Sequence, residues 1–217
     1  MKPASPALVH KFLRPRRPTP GRPPGLFLLH GRGADEDDLL GFAEYFDDRL
    51  VIVSPRAPYP FTMGGGYTWY DLEEIGKPDR AMFASSHEKL RSFLSGAAME
   101  FDLDPSRIFC CGFSMGSAMA LSIALSAPGF FSGVIANSGY VPEDAGMELN
   151  WTGVRGKPFF IAHGLYDPLI PYAYGRRARE LLESHGAIVT HREYDMGHQI
   201  NEDSLNDMIG WLTPLLG

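Results

Sequence analysis

Apolar residues in this chain gather in short runs that mostly lack polar alternation. Gly25–Leu29, Leu50–Ser54, Ile108–Cys111, Gly133–Asn137, Phe159–Gly164 and Val189–Tyr194 read as strands. Between them, helical stretches are predicted over Asp37–Phe46, Ser85–Phe101, Met115–Leu125, Tyr172–Ser184 and Asn201–Leu216. Strands without alternation are buried on both faces. Alternated with helices, they predict a mostly parallel central sheet with helices on both faces. Leu8–Arg14 reads as an edge strand, followed by a Pro/Arg-rich loop to Pro24. Two long connections remain, Pro55–Ala84 and Ser138–Lys157. Long loops in compact domains are commonly functional. There is no internal repeat, and residues 1–217 read as one α/β domain.

Composition narrows the function classes. With 44% hydrophobic residues, the chain can build one sizeable core. Net charge is −6, and the first 24 residues carry six bases and no acid. The rest therefore holds 14 bases against 26 acids, a balance of −12. That acidic body argues against nucleic acid or an anionic membrane as partner. No run is long and apolar enough for a membrane span, and the start lacks the apolar core of a secretory signal. The two cysteines, Cys110 and Cys111, are neighbours in a predicted buried strand. Such a pair cannot staple a fold, so a reducing, cytoplasmic setting is expected.

Gly112-Phe113-Ser114-Met115-Gly116 falls where a buried strand ends and a helix begins. Gly-x-Ser-x-Gly in that context predicts a nucleophile elbow, with the serine hydroxyl at the apex of a sharp turn. The flanking glycines leave room that a Cβ would take. A serine nucleophile needs a base, and the base needs an orienting carboxylate. Of seven histidines, His198 follows the last strand and precedes the last helix. Asp167 follows the strand Phe159–Gly164, with Pro168 holding its backbone extended. Asp195, three residues before His198, is the rival acid. The chain order Ser…Asp…His suits this reading. For the developing oxyanion, the backbone N–H of Met115 and that of Arg32 are the expected donors, with Gly31 and Gly33 as alternates to Arg32. His30 is expected to bond loop backbone. Met63, Trp69 and Tyr70, on a loop with Gly64-Gly65-Gly66, are candidates to line an apolar acyl pocket. The acids Asp35, Glu36, Asp37 and Asp38 lack the spacing of a calcium loop and read as a helix start. No zinc pattern is present.

Together these residues resemble the bacterial phospholipase/carboxylesterase family of α/β-hydrolases, relatives of acyl-protein thioesterases. The segments that carry the resemblance are Leu29–Asp35, Trp69-Tyr70-Asp71, Gly112–Gly116, His163-Gly164 through Asp167 to Pro171, and Gly197-His198. The resemblance implies an α/β-hydrolase fold and a cofactor-free serine hydrolase without metal. Ser114 would be nucleophile, His198 base and Asp167 its orienter. Here Met115-Gly116-Ser117 follows the serine where relatives often carry Gln then Gly-Gly, and Arg32 replaces the Leu of many thioesterase members. The segment between Asn137 and Phe159, about 20 residues, leaves no room for a large cap domain and predicts an open cleft. The substrate implied is a small-molecule ester of short- to medium-chain acyl type, a thioester or a lysophospholipid. A homodimer stays open. The alternatives are a perhydrolase or carbon–carbon bond hydrolase on the same fold, or a non-catalytic binding protein.

Overall fold

The computed structural model describes residues 8–217. Seven strands form one sheet in the order β1-β3-β2-β8-β9-β10-β11. They are β1 (His10–Leu13), β2 (Gly25–Leu29), β3 (Val51–Pro55), β8 (Ile108–Phe113), β9 (Gly133–Asn137), β10 (Pro158–Gly164) and β11 (Ile188–Tyr194). Only β1 runs antiparallel, on the β3 edge; every other pairing is parallel. β2, β3 and β9 are buried at every residue, as their unbroken apolar runs require.

The helices are α1 (Arg80–Glu100), α2 (Met115–Ser126), α3 (Ala173–Ser184) and α4 (Glu202–Leu212). Two apolar clusters flank the sheet. One joins α1 and α2 to Phe27, Val53, Cys110 and Phe159. The other joins Leu39, Phe46, Met208 and Leu212 to Leu26, Ile52, Phe109 and Phe160. α2 is buried from Met115 to Leu125, and its alanines, serines and glycine let it lie close against the sheet. No helix among the described residues is long and apolar enough to cross a membrane.

Three expectations need correction. α1 starts at Arg80, five residues before the expected Ser85, because the Asp79 side chain accepts the Met82 N–H at 2.8 Å and caps the helix there. The stretch expected to be helical over Asp37–Phe46 is a 3-10 helix over Leu39–Tyr45. Of its acids only Asp38 stands at the helix start, as the N-cap residue without a capping bond from its side chain. Glu36 is buried against Arg56 and Asp37 pairs with Lys11. Third, Pro55–Ala84 is not a plain loop but folds two small hairpins, Tyr59–Pro60 with Tyr67–Thr68 (β4, β5) and Leu72–Glu74 with Lys77–Pro78 (β6, β7).

β2 is the hinge of the topology: the chain turns to β3 on one side, then crosses to β8 on the other. Such a switch point opens a crevice at the strands' carboxyl ends. Leu29 pairs with Gly112 there, so the loops leaving β2 and β8 emerge side by side.

Candidate active site

β8 runs straight into α2 through Ser114, whose backbone sits at φ 55°, ψ −118°. This positive φ is strained for a residue with a side chain. Neighbours enforce it. A Cβ on Gly116 would run into the Leu29 carbonyl, and one on Gly112 would meet the Gly116 backbone. The Ser114 N–H donates to the Asn137 carbonyl at 2.9 Å, and the Ser117 hydroxyl bonds the Gly112 and Asn137 carbonyls at 2.7 Å. The turn is thus tied to both β8 and β9.

Asp167 leaves β10 and His198 leaves β11, its parallel neighbour. The His198 Nδ1 stands 2.7 Å from Asp167 Oδ2, and its Nε2 stands 2.9 Å from Ser114 Oγ. Phe113 packs on the imidazole with ring centroids 4.8 Å apart. The other carboxylate oxygen, Asp167 Oδ1, accepts the N–H groups of Leu169 and Ile170 at 2.9 and 2.8 Å. A second histidine, His163, is fully buried below, its Nε2 2.8 Å from the Ile170 carbonyl and 3.4 Å from Asp167 Oδ2. Burial pushes the His163 pKa down, so the ring is held neutral. The rival acid, Asp195, is exposed and makes no bond to His198.

Arg32 and Met115 both line the cavity beside Ser114, and neither backbone N–H has an acceptor among the described residues. Gly33 is not available: its N–H donates to the Tyr67 carbonyl at 2.9 Å. His30 bonds loop backbone as expected, with Nδ1 2.7 Å from the Gly31 carbonyl and Nε2 accepting the Ala57 N–H at 3.0 Å. Burial lowers its pKa.

The cavity measures about 270 Å³ and is walled by Leu72, Ile75, Phe113, Tyr140, Leu169 and Ile170. The expected pocket residues are elsewhere. Met63 points to solvent, 89% exposed, on the Gly-rich hairpin tip. Trp69 and Tyr70 are wholly buried behind the wall. Trp69 bonds the His30 carbonyl, and the Tyr70 hydroxyl lies 2.9 Å from that of Tyr140. None of the six wall residues is among those expected from the sequence. Leu169 and Ile170 stand directly after Asp167-Pro168, and apolar residues beside a catalytic candidate were the available signal. Among the described residues no group of His, Cys, Asp and Glu side chains is arranged to hold a metal ion.

A parallel sheet with one antiparallel edge strand, carrying a serine on a strained strand-to-helix turn, defines an α/β-hydrolase. The phospholipase/carboxylesterase family pattern matches residues 21–216, and the chain belongs to that family. Acyl-protein thioesterase 1 of Debaryomyces hansenii is 29% identical over 181 residues, 78% of each chain. The same-named protein of Candida albicans is 28% identical, covering 88% of this chain and 91% of its own. The crystal structure of the Bacillus cereus carboxylesterase superposes with a TM-score of 0.83 at 27% identity, covering 96% of this chain and 95% of that one. The chain is therefore a hydrolase of the carboxylesterase type. These relatives favour ester and thioester hydrolysis over the perhydrolase, carbon–carbon hydrolase and binding-protein alternatives.

Proposed function

We propose that the chain cleaves carboxylic esters and thioesters of short- to medium-chain acyl groups through an acyl-enzyme on Ser114. His198 Nε2 takes the Ser114 proton as Oγ attacks the carbonyl carbon. The tetrahedral oxyanion is met by the N–H groups of Arg32 and Met115, at the positive end of α2. The intermediate collapses, the bond to the alcohol or thiol breaks, and His198 protonates the leaving group. Water, deprotonated by His198, then adds to the acyl carbonyl and releases the acid and free Ser114. Asp167 keeps Nδ1 protonated and stabilises the imidazolium formed in each half-reaction.

One observation carries this reading: the unbroken relay from Ser114 Oγ through His198 to Asp167 at 2.9 and 2.7 Å. The cavity's modest volume and apolar walls support small acyl groups. The two adjacent buried thiols, neither in a disulfide, support a reducing, cytoplasmic setting. The test is turnover of p-nitrophenyl acetate, butyrate and laurate, with labelling by a fluorophosphonate. Activity should peak at the shorter esters, and the label should sit on Ser114. In Ser114→Ala, kcat should fall by at least about 10³-fold. Ordinary turnover by that variant would overturn the assignment.

A further inference from the structure

Arg32 is the one residue of fixed charge among those that line the cavity holding Ser114 and His198, and it is exposed to solvent. It has no carboxylate within ion-pair reach among the described residues. Of the acids that follow in sequence, Asp35 accepts the Asp37 N–H at 3.0 Å and is in no ion pair among the described residues, Glu36 takes Arg56 in a two-pronged pair at 2.6 Å, and Asp37 takes Lys11 at 2.6 Å. The Arg32 guanidinium instead rests 5.6 Å from the Phe61 ring centroid. Its field reaches the inner wall. Burial pushes the Tyr140 hydroxyl up to about 12, and the hydrogen bond from Tyr70 and the Arg32 charge oppose the rise.

An unpaired guanidinium on a residue that lines an apolar cavity can bind a carboxylate with two parallel N–H bonds. The placement also runs against the chain's overall charge. A chain of net charge −6 repels anions at a distance. A cation at the cleft favours an anion there. We infer that the Arg32 side chain binds a carboxylate carried by the ester substrate, so that the preferred substrate is an anionic ester. This inference rests on the ester-hydrolase reading and names its substrate class.

Because the Arg32 backbone is also assigned to the oxyanion, the measurement is a ratio between matched substrates, in which an oxyanion effect cancels. The acyl-side pair is mono-4-nitrophenyl glutarate against 4-nitrophenyl valerate. The alcohol-side pair is 3-acetoxybenzoate against phenyl acetate. In the wild-type chain the anionic-to-neutral ratio of kcat/KM should be high for one pair. It should fall as salt rises from about 0.01 to about 0.5 M, where the screening length shrinks several-fold. Arg32→Leu should lower that ratio by about tenfold and remove its salt dependence, and Arg32→Lys should keep part of it. Ratios equal in wild type and Arg32→Leu for both pairs, or insensitive to salt in the wild type, would overturn the inference while leaving the hydrolase reading standing. A wild-type chain that cleaves neither member of either pair would overturn both.

Discussion

The indole N–H of Trp69 donates a 2.9 Å hydrogen bond to the His30 carbonyl. His30 immediately precedes the Gly31–Gly33 loop, so Trp69 holds the assigned oxyanion donor from behind. The Ser86 hydroxyl in turn bonds the Trp69 carbonyl. Trp69→Phe keeps the buried ring and removes the donor, leaving a buried carbonyl short of one partner. Stability should fall by about 1–3 kcal/mol, and kcat should fall several-fold more than KM changes. Met63→Ala, at an exposed hairpin tip, should stay within about 0.5 kcal/mol and leave kcat/KM alone. Urea midpoints and steady-state kinetics check both. A folded Trp69→Phe with full kcat would refute the supporting role.

Ser114 pays for its position in backbone strain, at about 1–3 kcal/mol for a side-chain-bearing residue at this φ. Glycine adopts that conformation freely but loses about 0.5–1 kcal/mol of chain entropy. Ser114→Gly should therefore be inactive and more stable than Ser114→Ala by about 1 kcal/mol, read from thermal or urea unfolding. If alanine proves the more stable of the two, the turn is not strained in the way its dihedrals imply.

The sheet was legible because each core strand is an apolar run that no other element explains. Gly25–Leu29 and Gly133–Asn137 match β2 and β9 residue for residue. Ser114, Asp167 and His198 were legible because polar residues at strand ends face the crevice that a parallel sheet opens. Trp69 and Tyr70 were misplaced for a definite reason. An aromatic-rich loop advertises burial, but burial in the wall and exposure in the pocket look alike until the β4–β5 and β6–β7 hairpins set the facing. Glu36 was misread because its partner, Arg56, lies 20 residues away, and nothing local announces the pair.

Four histidines, His30, His87, His163 and His191, have pKa values pushed down chiefly by burial. Below the ordinary value of 6.5 the unfolded chain takes up protons that the folded chain refuses. Stability is therefore full above that pH and declines on acidification towards the lowered folded values. Unfolding free energy should drop between about pH 7.5 and about pH 5.5. His87→Gln can keep a bond to Ser126, now 2.9 Å from the ring, and removes one titrating group. Its drop over the same interval should be smaller. An equal drop would show that His87 is not among the groups responsible.

The Glu36–Arg56 pair joins the segment after Gly33 to the β4–β5 hairpin. Arg56 also donates to the Tyr67 hydroxyl at 2.9 Å and lies over the Tyr67 ring. Tyr67 in turn holds Gly33 through its carbonyl and Ala34 through its N–H. The Glu36 side chain is 6% exposed and that of Arg56 27%, so the pair is only partly screened. The Arg56 hydrogen bond holds the Glu36 pKa below its usual 4.5. The stability this confers is present above that pH and is lost as acidity rises through the lowered value. Glu36→Gln strands a cation in a half-buried site and should cost about 2 kcal/mol, below the full cost of a broken buried pair because Arg56 retains some water. Replacing both partners, as Glu36→Leu with Arg56→Met, removes the stranded charge and should recover most of that loss. Activity should not recover with it, since Tyr67 then loses the donor that sets the Gly33 loop beside Ser114. Urea unfolding and kcat on p-nitrophenyl butyrate separate the two effects. A double variant less stable than Glu36→Gln would show that a stranded charge is not the source of the loss, and one restored in kcat as well as stability would show that the pair does not position the loop.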